Sequence, residues 1–488
     1  MKLKDVMSGI ANIEIRGDSG IQVSSLKYDS RRVCEGDLFA AVKGENFDGI
    51  DFIPEALEKG ARSCLVPAGT RTEEGPVWIL SPNVRQTLAL ASRNYFNDPS
   101  AKLKVVGITG TNGKTTSSYL VHGILESAGL NSGLIGTVQY LLGGEIISAA
   151  RTTPESPDLF SMLDAMVKNG CKTCIVEVSS HALALDRVTG VNFEAAVFTN
   201  LTRDHLDFHE DMEDYFSTKA ALFEKAELKY RVINRDDPFG SRLIEKLNGE
   251  IMTYGMTNAD IMPEGPVRID ERGCRCTLNS PWGRVSINTA LTGKFNLYNI
   301  MAAVAACGIL GVGASAIASG LSQVDRIPGR FEKVNRGQAF TAVVDYAHTP
   351  DALENVLENA RAVSRGRVIT VFGCGGDRDK TKRPLMGMVA GRLSDLVFVT
   401  SDNPRSEDPE TILDDIMEGL GDPVAAVQRV SDRRKAIEMA VQEARQGDMV
   451  VVAGKGHENY QIMGDKVLPF SDADELARAI LKMSGEEL

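Results

Sequence analysis

Short apolar runs alternate along this chain with stretches in which apolar residues recur every three or four positions. LKVVGIT (103–109) is apolar and β-branched and reads as a strand. The next stretch, TTSSYLVHGILESAGL, repeats apolar residues at Leu120, Val121, Ile124, Leu125 and Ala128, a helical period that Gly129 is placed to stop. TCIVEV, AAVFTN and YRVIN continue the strand series between helical segments to about residue 325, the pattern of a mostly parallel sheet. Before this block, residues 1–98 mix short strand-like runs (DLFAAV, SCLVPA, VWIL) with a helix near 83–95, and NDPSAKLK (97–104) reads as a linker. After it, DRIPGRFE (325–332) marks a second boundary. The final block holds AVVDYAHTP, RVITVFGCGG, DLVFVTSDNPR and DMVVVAGKGHE, each an apolar run that enters a polar or glycine-rich loop. Open α/β sheets place ligands at such strand ends. The expected class is α/β in three domains, 1–98, 99–328 and 329–488.

Composition narrows the function classes. The chain has 488 residues, 25% charged and 43% apolar, as ordinary globular domains do. A formal net charge of −12 argues against nucleic-acid or acidic-membrane partners. No segment approaches the roughly 20 uninterrupted apolar residues of a membrane span, and MKLKDVMSGIANIEI lacks the apolar core of a signal peptide. The C-x-x-C of Cys171 and Cys174 has no second pair at zinc spacing, so the eight cysteines are expected as free thiols in a reducing cytoplasm.

GITGTNGKTT (107–116) sits between the first strand and helix of the middle block. The usual phosphate-loop pattern, G-x-x-x-x-G-K-[ST], places a glycine five residues before the second; here that position is Ile108, and the nearer glycine is Gly110. The strand–turn–helix context still offers backbone N–H groups and a helix N-terminus to phosphate oxygens. Lys114 can reach a terminal phosphate, and Thr115 or Thr116 can offer a hydroxyl to magnesium. In CIVEVSSHALALDR, Glu177 lies near a strand end beside Ser179, Ser180 and His181. AAVFTNLTRDHLDFHE clusters Asn200, Asp204, His205, Asp207 and His209 after another strand. Hard oxygen ligands with a histidine near a triphosphate suit Mg²⁺, and Glu177 and His205 are the candidates. Lys219, taken alone, reads as a surface lysine on a helix.

GCGGDRDKTKRPLM (373–386) sets Arg378, Lys380, Lys382 and Arg383 beside a tight loop, which suggests a carboxylate or phosphate ligand. SDNPRSEDP (401–409) places Arg405 in a turn with Asp402 and Asn403, and GKGHE (454–458) adds a further glycine loop ending in His457 and Glu458.

Taken in order, TGTNGKTT, EVSSH, TNLTRDHLDFH, LTGKFNLYN, GRFE, DYAHTPD, GCGGDRDKTKRPLM, DNPR and GKGHE resemble the Mur ligase family over nearly the whole chain. That family's phosphate loop is G-T-[NG]-G-K-[TS], so the absent distant glycine is a family feature. The resemblance implies a cytoplasmic, ATP- and Mg²⁺-dependent amide ligase of peptidoglycan precursor synthesis. Its N-terminal domain would bind the UDP-substrate, its central domain would be of the P-loop ATPase type, and its C-terminal domain would be Rossmann-like and bind the amino acid. ATP would phosphorylate the D-glutamate carboxylate of UDP-N-acetylmuramoyl-L-alanyl-D-glutamate, and meso-2,6-diaminopimelate would attack the acyl phosphate. Lysine addition by a relative, folylpolyglutamate synthesis, and a P-loop kinase or regulatory NTPase are the competing readings. A monomer is expected, with no nucleic-acid partner and no membrane insertion.

Carried across by motif, Lys114, Lys219 and His205 are implied as catalytic. Gly110, Thr111, Asn112, Gly113, Lys114, Thr115, Thr116, Asn296, Arg330, Asp345 and His348 are implied for ATP, with Asn299 nearby. Thr115, Glu177 and His205 are implied metal ligands, and Lys219 an N6-carboxylysine, whose negative charge suits a magnesium neighbour. Ser30, Thr152, Thr153, Ser179 and Arg187 are implied for the UDP-substrate. Arg378, Asp402, Asn403, Pro404, Arg405, Gly454 and Glu458 are implied for diaminopimelate. The family often has histidine before the asparagine of its LTGKFN segment; Phe295 stands there, so no catalytic histidine is assigned.

Overall fold

The computed structural model describes residues 1–44, 47–421 and 425–485. Contacts divide the chain into two compact units, Met1–Thr109 with Leu130–Ala196 and Thr218–Arg231, and Gly110–Gly129 with Val197–Ser217 and Val232–Leu488.

The first unit contains a five-stranded sheet with spatial order Glu14–Arg16, Val77–Ser81, Ser63–Pro67, Leu38–Ala40, Leu26–Lys27, antiparallel only at the first pair. Alternation along its strands builds two cores. Leu38, Ala40, Leu65 and Ile79 face one side with Leu3, Val6 and Leu88, whereas Phe39, Cys64, Val66, Trp78 and Leu80 face the other with Ile53 and Ala56. Both faces are buried, which is why these strands read as continuous apolar runs. The unit also holds parallel strands Lys104–Thr109, Thr173–Glu177 and Ser132–Ile135. NDPSAKLK is not a loose linker: Asp98 caps a 3₁₀ turn over Pro99–Lys102, and the Ser100 hydroxyl accepts from the Asn192 N–H at 3.1 Å.

The second unit opens with the helix Lys114–Ser127, followed in the chain by the buried helix Lys294–Ile309. Between residues 262 and 289 lies an antiparallel sheet of Met262–Asp270, Gly273–Asn279 and Val285–Thr289, where an alternation of strands and helices was expected. Its last sheet has the order Glu332–Lys333, Thr341–Asp345, Met449–Ala453, Val368–Phe372, Leu396–Val399, Ala426–Arg429, parallel except at the first pair. Val343, Val397, Val399 and Val451 pack on one face, and Val344, Ile369, Phe398 and Val450 on the other. The parallel strands Thr341–Asp345, Val368–Phe372, Leu396–Val399 and Met449–Ala453 send their C-terminal ends into the DYAHTP, GCGGDRDK, DNPR and GKGHE loops.

All eight cysteines are free thiols, with Cys171 and Cys174 buried. No helix among the described residues is long and apolar enough to cross a membrane.

Candidate active site

The phosphate loop begins later than the usual pattern because Ile108 still belongs to the strand, paired in register with Glu177 and fully buried. The turn is compressed into Gly110–Gly113. Gly110 has φ 144°, and a Cβ there would lie 1.9 Å from Thr199 Oγ1; Gly113 has φ 85°, and a Cβ would lie 2.3 Å from Asn299 Oδ1. No side chain larger than hydrogen fits either place. The loop is clamped from behind: the Asn112 N–H donates to Asn200 Oδ1 at 2.9 Å, and its carbonyl accepts from Thr199 Oγ1 at 2.7 Å. Thr111 shares a 3.1 Å hydrogen bond with the Tyr215 hydroxyl. Lys114 folds its ammonium over the turn, donating to the carbonyls of Gly110 at 2.9 Å and Thr111 at 2.8 Å. Thr115 and Thr116 are buried in the first turn of the helix, whose N-cap, Gly113, supplies no side-chain acceptor.

Three expected nucleotide residues share this unit. Arg330 donates from Nη2 to Thr115 Oγ1 at 3.0 Å, with its guanidinium stacked 4.7 Å from the Tyr346 ring centroid. Asp345 accepts from the N–H groups of Phe331 at 2.7 Å and Ala347 at 2.8 Å. Burial pushes its carboxyl pKa up against the pull of Arg330. Asn296 anchors to the Thr292 carbonyl at 2.7 Å and accepts from Asn299, which in turn accepts from Ser117 at 3.4 Å. Asn299 therefore abuts the phosphate loop more directly than its sequence motif suggests. Phe295 packs edge-on against Phe331 at 6.4 Å.

A pocket in the same unit gathers His205, His348, Arg378, Asp402, Asn403, Arg405, Gly454 and Glu458, with Arg203, Asp204, Asp379 and Lys382 around them. Every diaminopimelate candidate except Pro404 lines it; Pro404 instead lies in its wall, its carbonyl beneath Gly376, where a Cβ would stand 1.9 Å away. His205 adopts the left-handed backbone (φ 54°), with Nε2 3.3 Å from Asp204 Oδ2. Burial, reinforced by the Lys382 charge, pushes the His348 pKa down, so the ring is neutral at pH 7. Arg405, also left-handed (φ 53°), donates from Nη1 to the Gly376 carbonyl at 2.6 Å. A Cβ at Gly375 would stand 2.9 Å from that nitrogen, so the glycine pair makes room for the guanidinium.

The basic cluster is divided differently from its sequence reading. Arg383 is fully buried, paired with Glu407 at 2.9 Å and Asp415 at 2.7 Å; Lys380 also meets Glu407, at 3.0 Å. Lys382 caps the His348 carbonyl at 2.9 Å. These groups hold the glycine loop, and Arg378 is left facing the pocket beside Arg405.

The first unit places Glu177, Thr152, Thr153, Ser179 and Arg187 together. Glu177, fully buried, accepts from the Thr137 hydroxyl at 2.7 Å and the Thr137 N–H at 3.2 Å. Thr137 also meets Thr152 at 3.1 Å. Thr153 donates to the Glu177 carbonyl at 2.6 Å and accepts from the Ser179 N–H at 3.1 Å. Arg187 lies 2.9 Å from Glu155, a buried carboxylate that also holds Arg85 at 2.9 Å and Arg151 at 3.5 Å. Glu155 was not singled out in the sequence; it is the N-cap position of the helix Ser156–Lys168. Ser30 sits with Glu55, 2.7 Å from its hydroxyl, and Lys59. Lys219 is not a surface lysine: it is 1% exposed, and its Nζ is 3.5 Å from Thr109 Oγ1.

Among the described residues no three His, Cys, Asp or Glu side chains form a ready metal cage. Glu177 in the first unit, and Thr115 and His205 in the second, carry a carboxylate, a hydroxyl and an imidazole, donor types that suit an ion such as Mg²⁺, which keeps waters and phosphate oxygens in its shell.

Comparison with known proteins agrees with the motif order. Residues 22–103 match the Mur ligase family catalytic domain, 108–307 the Mur ligase middle domain, and 329–456 the Mur ligase glutamate ligase domain. The UDP-N-acetylmuramoyl-L-alanyl-D-glutamate–2,6-diaminopimelate ligase of Solibacter usitatus is 47% identical, with 95% of this chain and 94% of that protein covered. The ligase of the same name from Gloeobacter violaceus is 46% identical over 99% of this chain and 98% of its own. A solved structure of that name superimposes with a TM-score of 0.69 at 33% identity, covering 99% of both chains. The three domain matches follow one another along the chain and the relatives are matched over almost its whole length: the chain belongs to the Mur ligase family.

Proposed function

We propose that this chain is an ATP-dependent ligase that forms an amide between a D-glutamate carboxylate of UDP-N-acetylmuramoyl-L-alanyl-D-glutamate and one amino group of meso-2,6-diaminopimelate. The observation that carries this reading is a pocket whose lining includes the guanidiniums of Arg378 and Arg405 and the carboxylates of Asp402 and Glu458. A ligand with ammonium and carboxylate heads at both ends matches that mixed lining, and the diaminopimelate in the relatives' name is such a molecule.

The reaction needs charge neutralised before a carboxylate oxygen can approach the γ-phosphorus. Lys114 and the N–H groups of the Gly110–Thr116 turn are suited to hold the β- and γ-phosphates, while Arg330 orients Thr115. Asn296, Asp345 and His348 complete the nucleotide site. Thr115, Glu177 and His205 are the candidate ligands for Mg²⁺, which would supply further neutralisation of phosphate charge when bound. Lys219, which is buried, would serve as a carbamate, formed from CO₂ and its neutral amine with loss of a proton.

Phosphoryl transfer breaks the bond from the γ-phosphorus to the β–γ bridging oxygen and forms a carboxylate-oxygen-to-phosphorus bond, giving acyl phosphate and ADP. The neutral amine then adds to the acyl carbon, and the tetrahedral adduct expels phosphate to leave the amide. Thr152, Thr153, Ser179 and Arg187 would seat the UDP-substrate together with Ser30. The test is an amino-acid panel: ADP and phosphate should form only when the UDP-dipeptide and diaminopimelate are both present. Turnover without the UDP-dipeptide, or equal turnover with lysine, would refute it.

A further inference from the structure

Lys455 is fully buried, yet its ammonium reaches three groups at the pocket wall: Asn403 Oδ1 at 2.9 Å, Glu458 Oε2 at 3.0 Å and Asp402 Oδ1 at 3.4 Å. All three partners line the pocket, and Lys455 does not. One cation thus serves two carboxylates, which leaves one negative charge over on the pocket side. Arg433 lies behind the same pair, but its guanidinium is committed to Asp472 at 2.7 Å, in a pair that is itself fully buried. Within this contact set one more cation completes the charge, and diaminopimelate carries one in its unreacting ammonium, while Arg378 and Arg405 in the same lining are left for its carboxylates.

We infer that Lys455 is a positioning residue for the incoming amino acid: it holds Asp402 and Glu458 side by side as anions, so that the ligand's ammonium closes a set of two cations and two anions. The inference deepens the reading of this pocket as the amino-acid site and rests on it. Asn403 fixes the geometry by donating from Nδ2 to the same Glu458 oxygen at 2.9 Å, and the Ile462 N–H holds Asn403 Oδ1 at 3.0 Å. Two carboxylates this close disfavour each other's ionisation. Burial first, and Asp402 after it, push the Glu458 carboxyl pKa up, while Lys455 and Asn403 pull it down. The other groups facing Glu458 are Arg433, Tyr346 and Tyr460. The tyrosines are neutral at pH 7, since burial raises both phenols, so among the described residues Lys455 is the one cation in contact with Glu458.

The test compares wild type with Lys455→Met, which keeps length and removes charge, from pH 6.5 to 9. At pH 7 the KM for diaminopimelate should rise by about tenfold or more, and this penalty should shrink as pH rises and Glu458 ionises unaided. KM values for ATP and the UDP-dipeptide should stay within about twofold. Lys455→Arg should recover most of the loss, and Glu458→Gln added to Lys455→Met should erase the pH dependence. A KM penalty that ignores pH, or one shared equally by all three substrates, would overturn the inference while leaving the wild-type ligation intact. A wild type that ligates no amino acid would instead sink the reading of the pocket and the inference with it. If Lys455→Met does not fold, calorimetry on the wild type decides. Diaminopimelate binding at pH 7, measured in buffers of different ionisation enthalpy with UDP-dipeptide and a non-hydrolysable ATP analogue present, should release as many protons in the wild type as in Glu458→Gln; about one proton more in the wild type would mean that Glu458 was protonated beforehand, and would refute the proposal.

Discussion

The guanidinium of Arg330 donates from Nη2 to the Thr115 hydroxyl at 3.0 Å, joining residues 215 positions apart in the chain. Thr115 stands in the first turn of the phosphate-loop helix, and Arg330 follows the proline and glycine of DRIPGRFE. The contact orients a hydroxyl that is expected to meet the nucleotide and its metal. Arg330→Ala should therefore raise the KM for ATP by about ten- to a hundredfold, since a hydrogen bond to a charged donor is worth about 1.5–3 kcal/mol. Arg330→Lys should recover only part of this, because an ammonium cannot both stack on Tyr346 and direct a planar fork at Thr115. Steady-state kinetics with ATP and diaminopimelate varied in turn is the check; equal rises in both KM values would show a general structural defect instead.

Lys219 presents a different case, a long cationic side chain with 1% exposure. Lys219→Ala should nearly abolish ligation while the thermal midpoint stays close to wild type, and short carboxylates added to the buffer should restore part of the activity. The wild type labelled with ¹³CO₂ should show a carbamate carbon resonance that Lys219→Ala lacks. An active wild type with no such resonance would remove the carbamate from the mechanism.

Glu407 supplies a pH dependence. Its hydrogen bonds to Arg383 hold its carboxyl pKa down at about 2, against an ordinary 4.5, in spite of partial burial. A depressed folded pKa contributes stability that is complete above the unfolded value and is lost as pH falls through the folded one. Glu407→Gln should thus cost about 3 kcal/mol near neutrality, because it leaves the buried Arg383 with less than its full counter-charge. The gap between wild type and variant, read from urea midpoints, should hold steady above pH 5 and close between pH 4.5 and about 2. A gap that widens on acidification would contradict this assignment. The same variant should loosen the glycine loop, since Glu407 also accepts from the Asp377 N–H at 2.6 Å.

Strands buried on both faces were legible because every residue of a run such as AVV (342–344) or VVVA (450–453) had to be apolar, whichever side it faced. The ligand loops were legible because glycines and charges concentrate where those strands end. The sheet over residues 262–289 was not, since Val285–Thr289 alternates buried and exposed positions and Met262–Asp270 is broken by two prolines, a glycine and charges and is nowhere fully buried, leaving little continuous apolar signal. Single buried charges were the hardest to see. Arg378 and Arg383 stand in one basic cluster, and only partners 24 and 32 residues from Arg383 decide that it supports the loop while Arg378 faces the pocket. Glu155 and Lys455 escaped for the same reason: the GKGHE loop was visible, but the parts these two side chains play come from residues brought near by the fold.

The choice of amino acid follows from Arg405. Diaminopimelate differs from lysine by a carboxylate at the far end, where it carries a second amino-acid head. One Arg405 nitrogen is spent on the Gly376 carbonyl, which fixes the plane of the guanidinium in the pocket, and the fork retains further N–H donors for a carboxylate. Its backbone is held as firmly: the Arg405 N–H donates to the Ile462 carbonyl at 3.2 Å, and the Gly464 N–H donates to the Arg405 carbonyl at 2.8 Å. Lysine would leave this preoriented cation, and Arg378 beside it, without a counter-charge. An unpaired buried polar group costs about 1–3 kcal/mol, more when charged, and sites built around such a group reject the analogue lacking it by about 10⁴-fold. The wild type should accordingly favour meso-diaminopimelate over L-lysine by about that factor in kcat/KM. Arg405→Ala should raise the KM for diaminopimelate far more than that for ATP and compress the selectivity. Gly375→Ala, which brings a methyl within 2.9 Å of the guanidinium, should weaken diaminopimelate in the same direction without touching the nucleotide. Comparable kcat/KM values for the two amino acids in the wild type, or unchanged selectivity in Arg405→Ala, would show that the far carboxylate is recognised elsewhere.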